Sequence, residues 1–161
     1  MVPLVLWIIF DYWDFWGRIA ALVLLVLAAS TDGIDGAIAR KRNLVSDFGK
    51  LIDPIADKAL LTGALLALSA QGAVPWIATS LILARELIVT VYRLVVARRR
   101  VIPATGGGKF KTVMQIIAVS LALAPFEALG NWYTLFSQAS LWFTVVLTLW
   151  SGKQVLWPSK L

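Results

Sequence analysis

A polar stretch between two apolar segments most constrains the fold of this chain. The stretch runs from Asp32 to Asp57 and reads DGIDGAIARKRNLVSDFGKLIDPIAD. Residues 19–29 before it and residues 59–70 after it are predominantly apolar and read as membrane helices. Ionisable groups are costly in such surroundings and are usually functional. The stretch is therefore the first candidate for a functional site.

The first half of this stretch places acids and small residues on one helical face. Asp32 and Asp35 are three residues apart, and Gly36 and Ala39 follow Asp32 by four and seven residues. Residues at these intervals lie on the same side of an α-helix. The two small side chains allow a ligand to approach the backbone closely, and Arg40 is placed to meet a phosphate group.

The second half repeats the acidic pattern. Gly49, Asp53 and Asp57 recur every four residues and share one face of the next helix. The connection Lys41–Gly49 allows the two helices to pack antiparallel. We therefore expect the two acidic faces to oppose each other.

Four carboxylates in a partly dry site repel one another unless they are protonated, paired or bound to cations. The chain has no His and no Cys, so the available ligands are hard oxygen atoms, which favour magnesium, manganese or calcium. Two divalent ions would balance the four charges and would stabilise phosphate oxygens. The alternative is that these acids are only polar residues at helix ends near lipid headgroups.

Composition predicts the fold class. The chain has 161 residues, of which 60% are hydrophobic, and this predicts a single-domain, all-α integral membrane protein over residues 1–161. We predict a six-transmembrane-helix bundle. Residues 2–10 are too short to cross a bilayer, which takes about 20 residues, so the first helix is expected to be incomplete. The other predicted helices are Arg18–Arg40, Gly49–Ala70, Pro75–Val96, Lys111–Pro125 and Ala139–Trp157, with an aromatic-rich turn over residues 127–138.

The net charge of +6 could suggest nucleic acid as a partner, but its distribution does not. Most basic residues fall in the loops after the second and fourth predicted helices and at the C-terminus, which all lie on one side. This pattern indicates a multi-pass protein of the cytoplasmic (inner) membrane with its polar sites facing the cytoplasm.

Charged residues also interrupt the fourth predicted helix. Arg85, Glu86 and Arg93 lie in an otherwise apolar run. Glu86 and Arg93 share a face and could form a buried structural ion pair. Alternatively, Arg85 or Arg93 lies in a polar cavity and binds a substrate.

The segment Ala97–Thr112 is a second polar stretch, with three arginines, a glycine run, Lys109 and Lys111. GGGK is only part of a nucleotide-binding phosphate loop, so nucleoside triphosphate binding is not expected. Lys109 and Lys111 are candidates for binding an anionic substrate. The alternative is a basic loop that contacts lipid headgroups.

The spacing of eight residues in the first polar stretch resembles the signature of the CDP-alcohol phosphatidyltransferase family. These residues are Asp32, Asp35, Gly36, Ala39, Arg40, Gly49, Asp53 and Asp57. The resemblance implies that the four aspartates hold two Mg²⁺ ions, with Mn²⁺ as a possible substitute, and that Asp57 is also the general base. It implies a CDP-diacylglycerol site formed by Gly36, Ala39, Arg40, Ser46 and Gly49.

The segments ARE at 84–86 and GKFKT at 108–112 are similar to those of family members that make phosphatidylglycerol phosphate. The resemblance implies transfer from CDP-diacylglycerol to glycerol 3-phosphate, although it does not assign each side chain. Our candidate contacts to the acceptor phosphate are Arg85, Arg93, Lys109 and Lys111. The resemblance also implies a homodimer. The alternatives are another acceptor, such as inositol phosphate or serine, an ion transporter or channel, and a non-catalytic membrane protein.

Overall fold

The computed structural model is all-helical in the part of the chain that it describes. It describes the backbone of residues 2–41, 47–97 and 106–156, and the side chains of residues 2–31, 58–92 and 110–153. The helices are α1 (Val2–Asp11), α2 (Phe15–Lys41), α3 (Asp47–Ala70), α4 (Trp76–Ala97), α5 (Gly106–Leu123) and α6 (Asn131–Leu156), with a 3₁₀ turn at Glu127–Leu129. The expected set of six helices is thus confirmed.

The helices form a bundle in which α6 packs against both α4 and α5, and α1 packs against α2 and α3. Leu25, Leu65, Ile82 and Leu123 are among the fully buried side chains of its core, which draws on all six helices. Side chains buried in this way stabilise the bundle through close van der Waals packing against their neighbours. Apolar contacts therefore hold the helices together, and the few buried polar groups select their orientation.

A tight turn joins α1 to α2. The Asp14 side chain accepts a hydrogen bond from the Gly17 backbone N–H at 3.0 Å, which satisfies one of the open donors at the start of α2. A Cβ atom at Gly17 would lie 2.0 Å from the Tyr12 carbonyl oxygen. Only glycine fits at this position, because the backbone itself is the neighbour.

Arg18 connects the start of α2 to the end of α5 through hydrogen bonds. Its Nε and Nη2 atoms donate to the carbonyl oxygens of Leu123 and Ala124, each at 3.0 Å, and Nη2 also donates to Glu127 at 2.6 Å. The guanidinium lies 4.7 Å from the centre of the Trp13 ring. Arg18 thereby satisfies carbonyls that the end of α5 leaves open.

The α3–α4 connection is short and internally bonded. Gly72 has φ +76°, a conformation that favours glycine, and the Ala73 N–H donates to the Leu68 carbonyl at 2.9 Å. The buried hydroxyls of Ser69 and Thr79 lie 2.6 Å apart across this turn. The turn fixes the relative position of two helices that line the site described below.

The outer surface of the bundle carries many large apolar side chains on all six helices. Those with at least half of their surface exposed include Trp7, Trp16, Trp76, Ile77, Leu87, Leu135, Phe143 and Trp150. Within the described residues, no helix combines the length and the sustained apolar character needed to cross a membrane.

Two predicted helix boundaries are wrong. Helix α5 begins at Gly106 rather than Lys111, because the glycine run forms its first turn although glycine has a low helix propensity. Helix α6 begins at Asn131 rather than Ala139. The connection between α5 and α6 therefore covers residues 124–130, not the expected 127–138. Gly130 has φ +103°, and the Tyr133 hydroxyl donates to the Leu121 carbonyl at 2.7 Å. These contacts place residues 131–138 in the helix.

We expect Gly17→Ala to lower the free energy of unfolding by about 1–3 kcal/mol, because the new methyl group would overlap the Tyr12 carbonyl. Gly63→Ala is the matched control, since its Cβ would meet only the flexible end of Leu6, at 3.1 Å. Thermal unfolding of both variants in one detergent, followed by circular dichroism, tests this. A Gly17→Ala variant as stable as Gly63→Ala would contradict the assigned turn.

The Arg18–Glu127 contact predicts a pH dependence of stability. Partial burial raises the pKa of Glu127, but the hydrogen bond and positive charge of Arg18 outweigh it and hold that pKa below its usual range. The stabilisation is therefore present above the unfolded-state pKa and is lost as the pH falls through the folded-state pKa. This stabilisation is small, because the Glu127 side chain is largely exposed to solvent.

We accordingly expect the midpoint of thermal unfolding to fall more on acidification in the wild type than in Glu127→Gln, which cannot titrate at this position. Unfolding curves from neutral pH down to about pH 3 measure this difference. Equal acid sensitivity of the two proteins would show that the contact contributes nothing to stability.

Candidate functional site

The predicted metal-binding aspartates fall on two helices that contact each other. Asp32 and Asp35 lie in α2, and Asp53 and Asp57 lie in α3. Their side chains lie outside the described residues, so their convergence remains a prediction. Among the side chains that are described, no three or more Asp, Glu, His or Cys residues lie close enough together to hold a metal ion.

Several other predicted site residues also lie outside the described part. Ser46 lies outside the described backbone, and the remaining residues lie on described helices but their side chains are not described. These remaining residues are Gly36, Ala39, Arg40, Gly49, Arg93 and Lys109. Of the predicted acceptor contacts, the structure describes Arg85 and Lys111, and it brings them together.

A pocket with one apolar wall and one polar, charged wall lies between α3, α4 and α5. Its volume is about 190 Å³. Its apolar wall consists of Leu61, Leu65, Ile82 and Leu83, and its polar wall consists of Lys58, Thr62, Glu86, Lys111, Thr112 and Gln115. Lys58 directly follows Asp57 in α3, so the pocket begins next to the predicted metal-binding segment.

The carboxylate of Glu86 is the centre of the charged residues at this pocket. Lys111 donates to Glu86 Oε1, and Arg85 Nη1 lies 3.2 Å from the same oxygen. Lys58 Nζ lies 3.7 Å from Glu86 Oε2. The side chains of Lys111 and Arg85 are 8% and 9% exposed. Buried charges require such partners, because an unpaired ion would lose its hydration without compensation.

Polar contacts on α4 hold the Lys58 side chain in place. Lys58 Nζ donates to the Thr90 hydroxyl. That hydroxyl in turn donates to the Glu86 carbonyl oxygen at 2.6 Å. Lys58 of α3 is thereby bound to both Glu86 and Thr90 of α4.

Helix α6 fixes the Arg85 side chain. Arg85 Nη2 donates to the Ser151 hydroxyl at 2.6 Å. A Cβ atom at Gly152 would lie 2.8 Å from Arg85 Nε, so the absence of a side chain there lets the guanidinium lie against the helix. The cluster formed by Lys58, Arg85, Glu86 and Lys111, here called the Glu86 cluster, therefore joins four helices.

Sequence patterns identified only part of this cluster. The predicted Glu86–Arg93 ion pair stays a prediction, because the Arg93 side chain lies outside the described part of the structure. Glu86 forms ion pairs with other residues, and Glu86 rather than Arg85 lines the pocket. Its described partners are Lys58, Arg85 and Lys111. Lys58 was missed, although an isolated lysine in the apolar part of α3 is itself a signal. No local pattern indicated Ser151, which lies 66 residues from Arg85.

The Glu86 cluster favours anion binding. Among the described residues that line this partly enclosed pocket, the two lysines, Lys58 and Lys111, outnumber the one carboxylate, that of Glu86. Arg85 contacts the same carboxylate without lining the pocket. Low-dielectric walls strengthen the field of such a pocket, and lysine and arginine donors suit phosphate oxygens. The pocket can therefore bind a small phosphorylated molecule whose uncharged part contacts the hydroxyl and amide groups of the wall.

Comparison with known proteins adds independent information. A family model described as CDP-alcohol phosphatidyltransferase matches residues 1–150. The chain is 38% identical to the CDP-diacylglycerol–glycerol-3-phosphate 3-phosphatidyltransferase of Bacillus subtilis over 168 aligned positions, which cover 94% of this chain and 85% of that protein. It is 39% identical to the protein of the same name in Rickettsia bellii, over 84% of this chain and 76% of the relative.

A further relative is the probable phosphatidylglycerophosphate synthase of Mycobacterium tuberculosis strain H37Rv, which is 49% identical over 110 residues. This match covers 68% of the chain but spans only 53% of the relative's length. The family match extends over α1 to α5 and most of α6, and thus includes all three helices that line the pocket. The chain belongs to the CDP-alcohol phosphatidyltransferase family.

Proposed function

We propose that the protein transfers the phosphatidyl group of CDP-diacylglycerol to sn-glycerol 3-phosphate, giving phosphatidylglycerol phosphate and CMP. The observation that carries this proposal is the similarity to the Bacillus subtilis transferase over nearly the whole chain. The basic pocket beside the predicted metal-binding segment supports it, because the proposed acceptor is a phosphate monoester.

The four aspartates are proposed to bind two Mg²⁺ ions, which Mn²⁺ could replace. The chemistry of the donors fits these metals, since carboxylate oxygens without imidazole or thiolate are what hard divalent cations prefer. Two ions held by Asp32, Asp35, Asp53 and Asp57 would supply charge stabilisation for the phosphate oxygens of the lipid substrate.

Binding of CDP-diacylglycerol is proposed along the same faces of α2 and α3. The small residues Gly36, Ala39 and Gly49 would allow the CDP group to approach the helix backbones, and the Ser46 hydroxyl would form a hydrogen bond with it. Arg40 would neutralise phosphate charge on the CMP leaving group.

The proposed chemistry is a direct displacement. Asp57 accepts the proton from a hydroxyl of glycerol 3-phosphate, and the hydroxyl oxygen attacks the phosphorus nearest the diacylglycerol. The new phosphorus–oxygen bond forms as the bond to the CMP oxygen breaks, and CMP leaves with the bonding electrons. The phosphate of the acceptor would be bound by Arg85 and Lys111, together with Arg93 and Lys109.

The protein is proposed to lie in the cytoplasmic membrane as a six-helix, multi-pass homodimer with its site facing the cytoplasm. The exposed tryptophan, leucine and phenylalanine side chains around the bundle support contact with lipid, because exposed apolar surface of this extent is unfavourable in water. A membrane position also suits a lipid substrate whose acceptor is water-soluble.

We expect Asp57→Asn to reduce CMP release by about a hundredfold or more, because an amide cannot accept the proton and is a weaker metal ligand. The variant should retain the helical circular dichroism and unfolding midpoint of the wild type. Asp47→Asn, which lies outside the eight-residue motif at the start of α3, is the matched control. Full turnover by Asp57→Asn would refute the assignment of the base.

The proposed substrates predict magnesium-dependent CMP release from CDP-diacylglycerol only when sn-glycerol 3-phosphate is present. Purified protein offered glycerol 3-phosphate, inositol phosphate or serine, with labelled CDP-diacylglycerol, measures the acceptor directly. Initial rates should follow a sequential pattern, because no covalent phosphatidyl–enzyme intermediate is formed. Turnover with inositol phosphate or serine instead would assign a different acceptor, whereas ion flux without CMP release would favour a transporter.

A further inference from the structure

We infer that Glu86 is a positioning residue for the acceptor phosphate, and that α6 holds it in place through Arg85. The inference rests on the proposed function and extends it to residues for which that proposal gives no role. Glu86 carries a negative charge and would not itself bind a phosphate. Its role is to hold in place the cations that bind the phosphate.

The geometry of the carboxylate supports this role. Oε1 accepts from Lys111 and lies 3.2 Å from Arg85 Nη1, whereas Oε2 faces Lys58 at 3.7 Å. Lysine has a long, flexible side chain and an ammonium that can point in many directions, so it needs an anchor to present a donor at a fixed place. Glu86 anchors two lysines that line the same pocket from different helices.

The anchor leaves donors available to a ligand. An ammonium carries three N–H donors, and Glu86 Oε1 takes one from Lys111. Lys111 lines the pocket, so its other donors can be offered to a phosphate oxygen there. Among the described residues that line the pocket, one carboxylate thus orders two lysines, and the excess of positive over negative side chains favours a phosphate monoester.

Helix α6 contributes to the positioning of Glu86 through its contacts with Arg85. Arg85 reaches from Glu86 to the Ser151 hydroxyl, and its guanidinium lies against Gly152. None of the described residues that line the pocket belongs to α6. We therefore expect a change at Ser151 or Gly152 to affect acceptor binding by displacing Arg85 and, with it, Glu86.

Two measurements on the purified full-length chain test the inference. The first is equilibrium binding of radiolabelled sn-glycerol 3-phosphate without CDP-diacylglycerol. The second is CMP release, analysed for the KM of each substrate and for kcat. The variants are Glu86→Gln, which keeps the size but removes the charge, Glu86→Asp, Ser151→Ala and Gly152→Ala.

The matched control is Thr148→Val. Thr148 is fully buried on α6, one turn before Ser151, and its hydroxyl has no hydrogen-bond partner within the described residues. Replacing it with valine keeps the shape of the side chain and should leave the binding of both substrates unchanged.

We expect Glu86→Gln to raise the Kd and KM for glycerol 3-phosphate about tenfold, because loss of a charge-assisted hydrogen bond changes affinity by this order. The KM for CDP-diacylglycerol should stay within about twofold of the wild type, which is a free-energy change below 0.5 kcal/mol by the relation of about 1.4 kcal/mol per tenfold. Glu86→Asp should recover part of the acceptor affinity. Ser151→Ala and Gly152→Ala should weaken acceptor binding selectively, in the same direction as Glu86→Gln.

A purely structural role makes a different prediction. Glu86→Gln would then lower the yield of folded protein or reduce kcat while the Kd for glycerol 3-phosphate stayed unchanged, and this result would overturn the inference. If Glu86→Gln does not fold, unchanged acceptor affinity in both Ser151→Ala and Gly152→Ala overturns it. A wild-type chain that binds no glycerol 3-phosphate also overturns the inference.

The two proposals fail in distinguishable ways. Wild-type protein that binds glycerol 3-phosphate selectively through Glu86 but releases no CMP with it contradicts the proposed reaction and supports the positioning role. Wild-type protein that releases CMP normally, with variants of unchanged acceptor affinity, contradicts the positioning role alone.

Discussion

The ion pairs of Glu86 are the interactions on which the arrangement of the helices around the site depends. Its carboxylate, on α4, contacts Lys58 of α3 and Lys111 of α5, and Arg85 extends the contact to α6. Removing one partner from a buried ion pair costs about 3–5 kcal/mol, because the other charge is left uncompensated. In a bundle whose other contacts are mostly apolar and non-directional, this cluster specifies which faces of four helices turn inward.

Helix α5 illustrates how polar contacts complement the apolar core. Near its beginning Lys111 is bound to Glu86, and at its end the Leu123 carbonyl accepts a hydrogen bond from Arg18. Between these points Val119 and Leu123 are buried in the core. Apolar side chains supply the close packing, whereas the two charged contacts fix the position of the helix along its axis. That position matters because α5 contributes Lys111, Thr112 and Gln115 to the pocket.

The pocket and the predicted metal site are linked through α3. Asp53 and Asp57 precede Lys58 on one continuous helix, so the segment proposed to hold the lipid pyrophosphate leads directly into the basic pocket. A transfer between two phosphate-bearing substrates requires such proximity, since the acceptor hydroxyl must reach the lipid phosphorus while its own phosphate is bound elsewhere. A rigid helix spanning both sites can meet this requirement without a moving loop.

Local spacing determined much of what could be predicted from the sequence. The periodic recurrence of the aspartates and of the apolar residues placed α2, α3 and α4 close to their observed bounds, because helical periodicity depends only on near neighbours in the chain. The same spacing carried the family resemblance. The predicted first residues of α5 and α6 were wrong, because the glycine run and the aromatic segment have weak local conformational preferences that tertiary contacts override.

The sequence by itself determined the helical class, the acidic motif, and the presence of Arg85 and Lys111 as charges in an apolar chain. Only the tertiary structure decided that these two cations share the carboxylate of Glu86, that Lys58 joins them, and that Ser151 and Gly152 hold Arg85. The physical reason is distance along the chain: the Glu86–Lys111 contact joins residues 25 apart, and the Arg85–Ser151 contact joins residues 66 apart. Such pairs form only when packing brings separate helices together, and no local pattern encodes them.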